Sequence, residues 1–296
     1  MPQFLIILMS SLTFSLIQTK LTWEDKPANL AMLRDKILSI TEKTEIVVLP
    51  EMFSTAFSMQ PELFAENMQG HTVEWMKKIA AEKRVIITGS IIIEEDKKYY
   101  NRLIWMLPNG EYGYYNKRHL FAYGHEDEHY TAGDKRLIAS VKGWKLNLQV
   151  CYDLRFPVWA RQGSAGNNQH NLPDEHSTPP LREERGIRGE APLEYDVLLY
   201  VANWPERRIN AWRTLLQARA IENQCYVIGV NRVGNDGNNI YHNGNSMVIG
   251  PMGEILYEKL HDEDIFTITL QKERLDEIRN KFPFWRDGDK FMITHE

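Results

Sequence analysis

Two cysteines in 296 residues, Cys151 and Cys225, are too few for a disulfide framework. No Cys/His spacing resembles a zinc site. The reading is a reducing compartment, the cytoplasm, with both thiols free. A strong charge of one sign is also missing. The net charge of −5 points to neither nucleic acid nor an anionic membrane as partner, although a site can still be locally basic. No apolar run is long enough to span a bilayer: the stretches Phe4–Met9 and Leu12–Ile17 are short and broken by Ser and Thr. The first basic residue is Lys20, so a secretory signal lacks its basic start, and no small-residue cleavage site is evident. Residues 1–12 are expected to form an extension that leads into a buried strand near Thr13–Thr19, with a single domain over 13–296. No internal repeat is visible.

What is present is an ordinary globular balance, 43% apolar and 25% charged, over a length that suits one large α/β domain. Apolar β-type runs occur at Glu45–Leu49, Val85–Ile93, Leu103–Leu107, Leu146–Val150, Val197–Ala202, Tyr226–Asn231, Ser246–Ile249 and Ile265–Leu270. Helical segments fall between them at Lys26–Ser39, Thr72–Lys83, Arg208–Asn223 and Gln271–Lys281. In the third of these, Ile209, Trp212, Leu216 and Ala220 share one face, which must dock on a core. Val85–Ile93 and Val197–Val201 are almost continuously apolar, as strands covered on both faces should be. Pro108-Asn109-Gly110-Glu111 reads as a hairpin turn. The pattern predicts a layered α/β sandwich with some antiparallel pairing. Residues 163–192, rich in Gly, Asn, Pro, Glu and Arg, cannot bury enough surface to fold alone. They read as a polar, flexible insertion facing solvent, or as a lid over a site.

Three strand candidates, two of them apolar runs and the third the returning arm of the hairpin, end on chemically distinctive residues. Leu146–Val150 stops on Cys151, Ile46–Leu49 runs through Pro50 into Glu51, and Tyr112–Asn116 ends at Lys117. If these strands share a sheet, the three side chains meet at one rim. Together they make a chemical set. A thiolate attacks a carbonyl or nitrile carbon. A carboxylate moves the proton and later activates water. An ammonium favours the thiolate and stabilises the oxyanion. A helical turn opening at Cys151 is expected to add a further push toward thiolate. Singly, each residue has a plainer reading: a core cysteine, a neighbour of a helix cap and a surface charge.

Leu49-Pro50-Glu51-Met52-Phe53, Asn116-Lys117-Arg118-His119-Leu120-Phe121 and Val150-Cys151-Tyr152-Asp153-Leu154-Arg155-Phe156-Pro157 resemble the three signature blocks of the carbon–nitrogen hydrolase (nitrilase) superfamily, in order and in rough spacing. The resemblance runs from about Thr13 to Phe291. It implies a four-layer α-β-β-α sandwich, back-to-back dimers, no metal or organic cofactor, and a catalytic triad of Glu51, Lys117 and Cys151. Many members carry a second glutamate a few residues before a glycine. Register to Gly133 favours Glu126, with Glu128 as the fallback. Val201–Pro205, Ala218–Gln224 and Lys281-Phe282-Pro283 are similar to the ω-amidase branch, whose members hydrolyse the terminal amide of 2-oxoglutaramate or 2-oxosuccinamate. Deaminated glutathione, an N-carbamoyl amine or a nitrile are the alternative substrates, and a catalytically silent scaffold is the alternative role. The 163–192 insertion departs from the compact family pattern.

Other residues near these blocks are open to two readings. Arg155 could hold a substrate carboxylate, but bracing the nucleophile turn against an internal carboxylate is the reading put ahead. Asn203 and Trp204 either line the pocket or cap a strand and fill the core. The Tyr152 N–H is a candidate oxyanion donor. His119 and His129 read as structural, Cys225 as a core thiol, and Trp285 and Phe291 as packing at a dimer interface or core edge.

Overall fold

The computed structural model describes residues 10–162, 169–171, 193–289 and 291–293. The strands, in chain order, are β1 (Ser11–Gln18), β2 (Ile46–Val48), β3 (Ile86–Glu95), β4 (Lys98–Met106), β5 (Tyr112–Asn116), β6 (Arg136–Val141), β7 (Trp144–Val150), β8 (Gln169–Asn171), β9 (Val197–Val201), β10 (Tyr226–Val230), β11 (Val233–Asn235), β12 (Tyr241–Ile249), β13 (Ile255–Leu260) and β14 (Asp264–Gln271). The helices are α1 (Lys26–Ser39), α2 (Pro61–Phe64), α3 (His71–Lys83), α4 (Glu126–His129), α5 (Pro157–Ala160), α6 (Ile209–Asn223) and α7 (Lys272–Lys281).

Two mixed sheets result. One runs β14-β1-β2-β3-β4-β5, the other β11-β12-β10-β9-β7-β6-β8 with β13 beside β12. The period-2 alternation of strand side chains sorts the apolar residues into layers. Ile46 and Val48 of β2, Leu146, Leu148 and Val150 of β7, and Val197, Leu199 and Val201 of β9 enter the core between the sheets. Their neighbours point outward. Val47 and Leu49 meet Leu33 and Ile37 of α1 and Met76 and Ile79 of α3. Leu198, Tyr200 and Ala202 meet Trp212, Leu216 and Ala220 of α6. The central strands are apolar on both sides because both sides are covered, and the fold is an α-β-β-α sandwich.

The expected helices stand within a residue of their predicted bounds. Several strands depart from expectation. β4 begins at Lys98 rather than Leu103, because Asp96 and Lys97 both take positive φ (51° and 61°) and close a tight hairpin that carries the polar residues Lys98–Arg102 into the sheet. β6 and β13 were not foreseen: β6 mixes Arg136, Ala139 and Ser140 with only three large apolar residues, and β13 is only half-buried. Residues 1–9 of the expected extension lie outside the described residues. So does the 163–192 segment, apart from β8, which pairs parallel with β6.

Candidate active site

Glu51, Lys117, Cys151 and Asn203 each follow a strand: β2, β5, β7 and β9 respectively. After β2 the chain turns at Met52 (φ 43°), whose N–H donates to Ser90 Oγ at 2.9 Å. After β5, the Lys117 N–H bonds the Asn101 carbonyl at 3.0 Å, and its own carbonyl accepts the Gly133 N–H at 2.9 Å. Gly133 is required there for space: a Cβ would stand 2.2 Å from the Asn116 carbonyl oxygen. After β7, Cys151 opens a 3-10 turn, Cys151–Arg155, with φ at +44°, a conformation that costs a non-glycine residue about 1 kcal/mol or more.

Asp153 holds that turn in place. Its Oδ2 accepts the Val150 N–H at 3.0 Å and the Tyr115 hydroxyl at 2.8 Å. Its Oδ1 accepts the His119 N–H at 2.9 Å and sits 2.8 Å from His119 Nδ1. The His119 ring stacks on Phe156 at 3.8 Å. Tyr115 and His119 flank Lys117, so one carboxylate ties the lysine segment to the Cys151 turn.

At the centre, Lys117 Nζ donates to Glu51 Oε1 at 2.9 Å and to Glu126 Oε1 and Oε2 at 3.0 and 2.8 Å. Asn101 Nδ2 spans the same two carboxylates, at 2.8 Å to Glu51 and 3.1 Å to Glu126. The second oxygens are held from the backbone: Phe121 N–H to Glu126 Oε2 at 2.7 Å and Asn203 N–H to Glu51 Oε2 at 2.8 Å. Glu51, Lys117 and Glu126 are buried. Glu128, by contrast, is exposed and pairs with His125, so the structure brings Glu126 rather than Glu128 into the cluster.

Burial works against the Lys117 charge, but the carboxylates of Glu126 and Glu51 outweigh it and hold the ammonium protonated above the ordinary lysine range. Burial raises the Glu126 carboxyl above the usual carboxylate range, offset in part by Lys117. At Cys151, burial and the Glu51 charge push the thiol well up, while Lys117 and the Asn203 N–H pull the other way. The expected helical turn does open at Cys151, but desolvation opposes its pull toward thiolate, so the balance lies toward the thiol until a base takes its proton.

Cys151 and Lys117 meet a cavity of about 240 Å³. Its walls include Phe57, Phe121, Tyr152, Arg155, Trp204, and Asp236 and His242 from the β11–β12 hairpin. Asn203 and Trp204 satisfy both of their readings. Each lines the cavity, Asn203 Nδ2 also bonds the Glu51 carbonyl at 2.7 Å, and Trp204 packs in the core under α6. The reading put ahead for Arg155 is corrected: among the described residues it pairs with no carboxylate, lies over the Trp204 ring at 5.1 Å and faces the cavity. Asp153 does the bracing instead. His129 is absent from the cavity lining, and Cys225 is buried under α6 with its thiol pushed up to about 12 by burial. Asn101, Asp153, Arg207, Arg208 and the hairpin wall were not singled out from sequence. The one signal for Asn101 is a polar residue inside a strand.

The family model described as carbon–nitrogen hydrolase matches residues 13–170 and 190–280. Omega-amidase YafV of Escherichia coli (strain K12) is 40% identical over 96% of this chain and 100% of its own length. The 2-oxoglutaramate amidase of Bacillus subtilis (strain 168) is 28% identical over 93% of this chain and 96% of its own. Among solved structures, XC1258 from Xanthomonas campestris, a CN-hydrolase superfamily protein with an arsenic adduct in its active site, aligns with a TM-score of 0.86 at 39% identity, covering 97% of this chain and 100% of that one.

Proposed function

The chain belongs to the carbon–nitrogen hydrolase family, and we propose that it is an ω-amidase, cleaving the terminal amide of 2-oxoglutaramate or 2-oxosuccinamate to the 2-oxo dicarboxylate and ammonia. The observation that carries this reading is the buried Lys117 ammonium bonded to both Glu51 and Glu126 beside Cys151 at the cavity. The relatives named as ω-amidase and 2-oxoglutaramate amidase support the substrate.

In this reading Glu51 accepts the Cys151 proton as sulfur attacks the amide carbon. Lys117 and the Tyr152 N–H stabilise the oxyanion. Glu51 returns the proton to nitrogen, the C–N bond breaks, and ammonia leaves a thioester. Water then gives one proton to Glu51 and attacks the thioester. The acid product departs, losing its proton to solvent as the carboxylate, and Glu51 returns its own proton to sulfur. Glu126 keeps Lys117 charged and aimed. A thiol pushed up by burial suits this scheme, since the proton moves only with a substrate present to use it. Arg155, with its guanidinium free of any described carboxylate, offers the remote carboxylate of the substrate a bidentate partner. A reducing cytoplasm suits an enzyme that needs Cys151 as a free thiol. A homodimer fits the exposed Val158 and Phe284 beside a shallow depression that also takes in Phe291.

Ammonia release from 2-oxoglutaramate, compared between wild type and Cys151→Ala, tests the reading. Turnover that vanishes in the variant supports it. Full turnover in Cys151→Ala rejects the mechanism. A higher kcat/KM on deaminated glutathione, an N-carbamoyl amine or a nitrile rejects the substrate.

A further inference from the structure

Three guanidinium groups, Arg155, Arg207 and Arg208, line the Cys151 cavity, and among the described residues none has a carboxylate within ion-pair distance. The acid in the same lining, Asp236, is turned onto its own loop, where its Oδ1 accepts the N–H groups of Asn238 at 2.8 Å and Ile240 at 2.9 Å. Such a cluster repels itself. Burial, then the charge of Arg207, and to a lesser degree that of Arg155, draw the Arg208 guanidinium below the usual arginine range. A bound anion would relieve all three at once.

Two of the three are set in matching ways. Arg155 lies over Trp204 at 5.1 Å, and Arg208 lies over Phe121 at 5.0 Å. A stacked guanidinium spends its face on the ring and leaves its N–H donors free along its edge. All four side chains line the cavity. The Arg208 backbone is fixed independently, its carbonyl accepting Trp204 Nε1 at 2.9 Å and its N–H donating to the Pro205 carbonyl at 3.0 Å. Arg208 and Cys151 line the same cavity of about 240 Å³, so one short molecule can meet both. Arg207 differs, being exposed and not stacked on any ring of the described residues.

We infer that Arg208 sets the preference for amides carrying a remote carboxylate, forming with Arg155 a two-guanidinium clamp across the cavity. The inference rests on the ω-amidase reading and adds the residue that makes the choice. It separates binding from chemistry: the clamp grips the far end of the substrate and leaves Cys151, Glu51 and Lys117 to act on the amide.

The test compares kcat/KM for 2-oxoglutaramate with that for pentanamide, a neutral amide of the same chain length, in wild type, Arg208→Gln, Arg208→Lys and Arg207→Gln. A lost charge-assisted contact predicts that the ratio of anionic to neutral amide falls about 30-fold in Arg208→Gln, carried by KM. Arg208→Lys recovers part of it, because a point charge replaces a fork. Arg207→Gln changes the ratio only a few-fold. Melting curves for each variant report whether the fold is kept. A preference for the anion that survives Arg208→Gln in a folded protein overturns the inference alone. A wild type that favours pentanamide overturns the substrate reading, and the inference with it.

Discussion

Asn203 grips Glu51 at two points across 152 residues of sequence: its backbone N–H donates to Glu51 Oε2 at 2.8 Å, and its Nδ2 donates to the Glu51 carbonyl at 2.7 Å. The two residues follow central strands of different sheets, so the contact fixes the Glu51 carboxylate relative to the sheet that carries Cys151. Asn203→Ala keeps the backbone bond and leaves the Glu51 carbonyl buried without that partner. We expect a loss of about 1–3 kcal/mol in stability and a fall of about tenfold in kcat as the carboxylate loosens. Chemical denaturation and steady-state ammonia release measure the two. A stability loss with wild-type kcat would reduce Asn203 to a structural tie.

Glu126 raises the affinity of its neighbours for protons. Its charge acts on Lys117 and on Cys151 in the same sense. Glu126→Gln removes that charge, so the Cys151 pKa drops and alkylation by iodoacetamide at neutral pH speeds up. Turnover should move the opposite way, by about 100-fold, because Lys117 loses a partner that orients it. Alkylation and turnover falling together would mean that the variant had simply disordered the cluster.

Asp153 is the next lever, since it accepts from Val150, Tyr115 and His119 at once. Asp153→Asn replaces an acceptor oxygen with an NH₂ that faces donors. The expected cost is about 2–4 kcal/mol, with slower alkylation of Cys151 as the turn loosens. Tyr115→Phe removes one donor from Asp153 but strips the Trp159 and Arg118 N–H groups of their acceptor, so it should cost about 1–3 kcal/mol. Because both changes strike one network, the double variant should cost less than their sum. Additive losses in a double-mutant cycle would show that the network is not a unit.

These contacts mark where the sequence is readable and where it is not. Glu51 and Cys151 were visible because an apolar run that stops on a polar residue has a local signature, Lys117 because it ends a hairpin arm, and register to Gly133 favoured Glu126 over Glu128 only once the family resemblance called for a second glutamate. That the three meet across two sheets, β2 and β5 in one and β7 in the other, rather than at the rim of a single sheet, was not visible. The layers were legible, since doubly covered strands such as Val197–Val201 are apolar throughout. Asn101 was not, because one polar residue in a strand says nothing of the two carboxylates it spans. Nor was the Arg155 partner, since Trp204 reaches it only through the packing of separate strands. The desolvation of Cys151 was not legible for a physical reason: a turn dipole can be read from sequence, but the burial that opposes it belongs to the folded protein. The cavity wall from β11–β12 lies beyond any motif, as Asp236 and His242 come from a hairpin about 90 residues from Cys151.

His242 gives this hairpin a pH dependence whose sign can be worked out. It is buried beside the cavity, its Nδ1 sits 3.0 Å from the Ile240 carbonyl, and burial followed by the Arg232 charge draws its pKa down to about 4. An unfolded histidine titrates near ~6.5. As pH falls through the interval between these values, the unfolded chain takes up a proton that the folded protein refuses. The contribution of His242 is therefore complete above the unfolded value, declines as pH drops, and levels off once the folded group also protonates. Its full size is at most about 3 kcal/mol. His242→Gln can still donate to the Ile240 carbonyl but does not titrate. Urea unfolding of both proteins at neutral pH and at two acidic values inside the interval isolates the effect, because the carboxylates common to both cancel in the difference. The gap between wild type and variant should shrink or reverse by more than about 1 kcal/mol toward the acid end. A gap independent of pH would mean that the folded protein accepts the His242 proton as readily as the unfolded chain, and the hairpin would then need an acid partner for it on the cavity side.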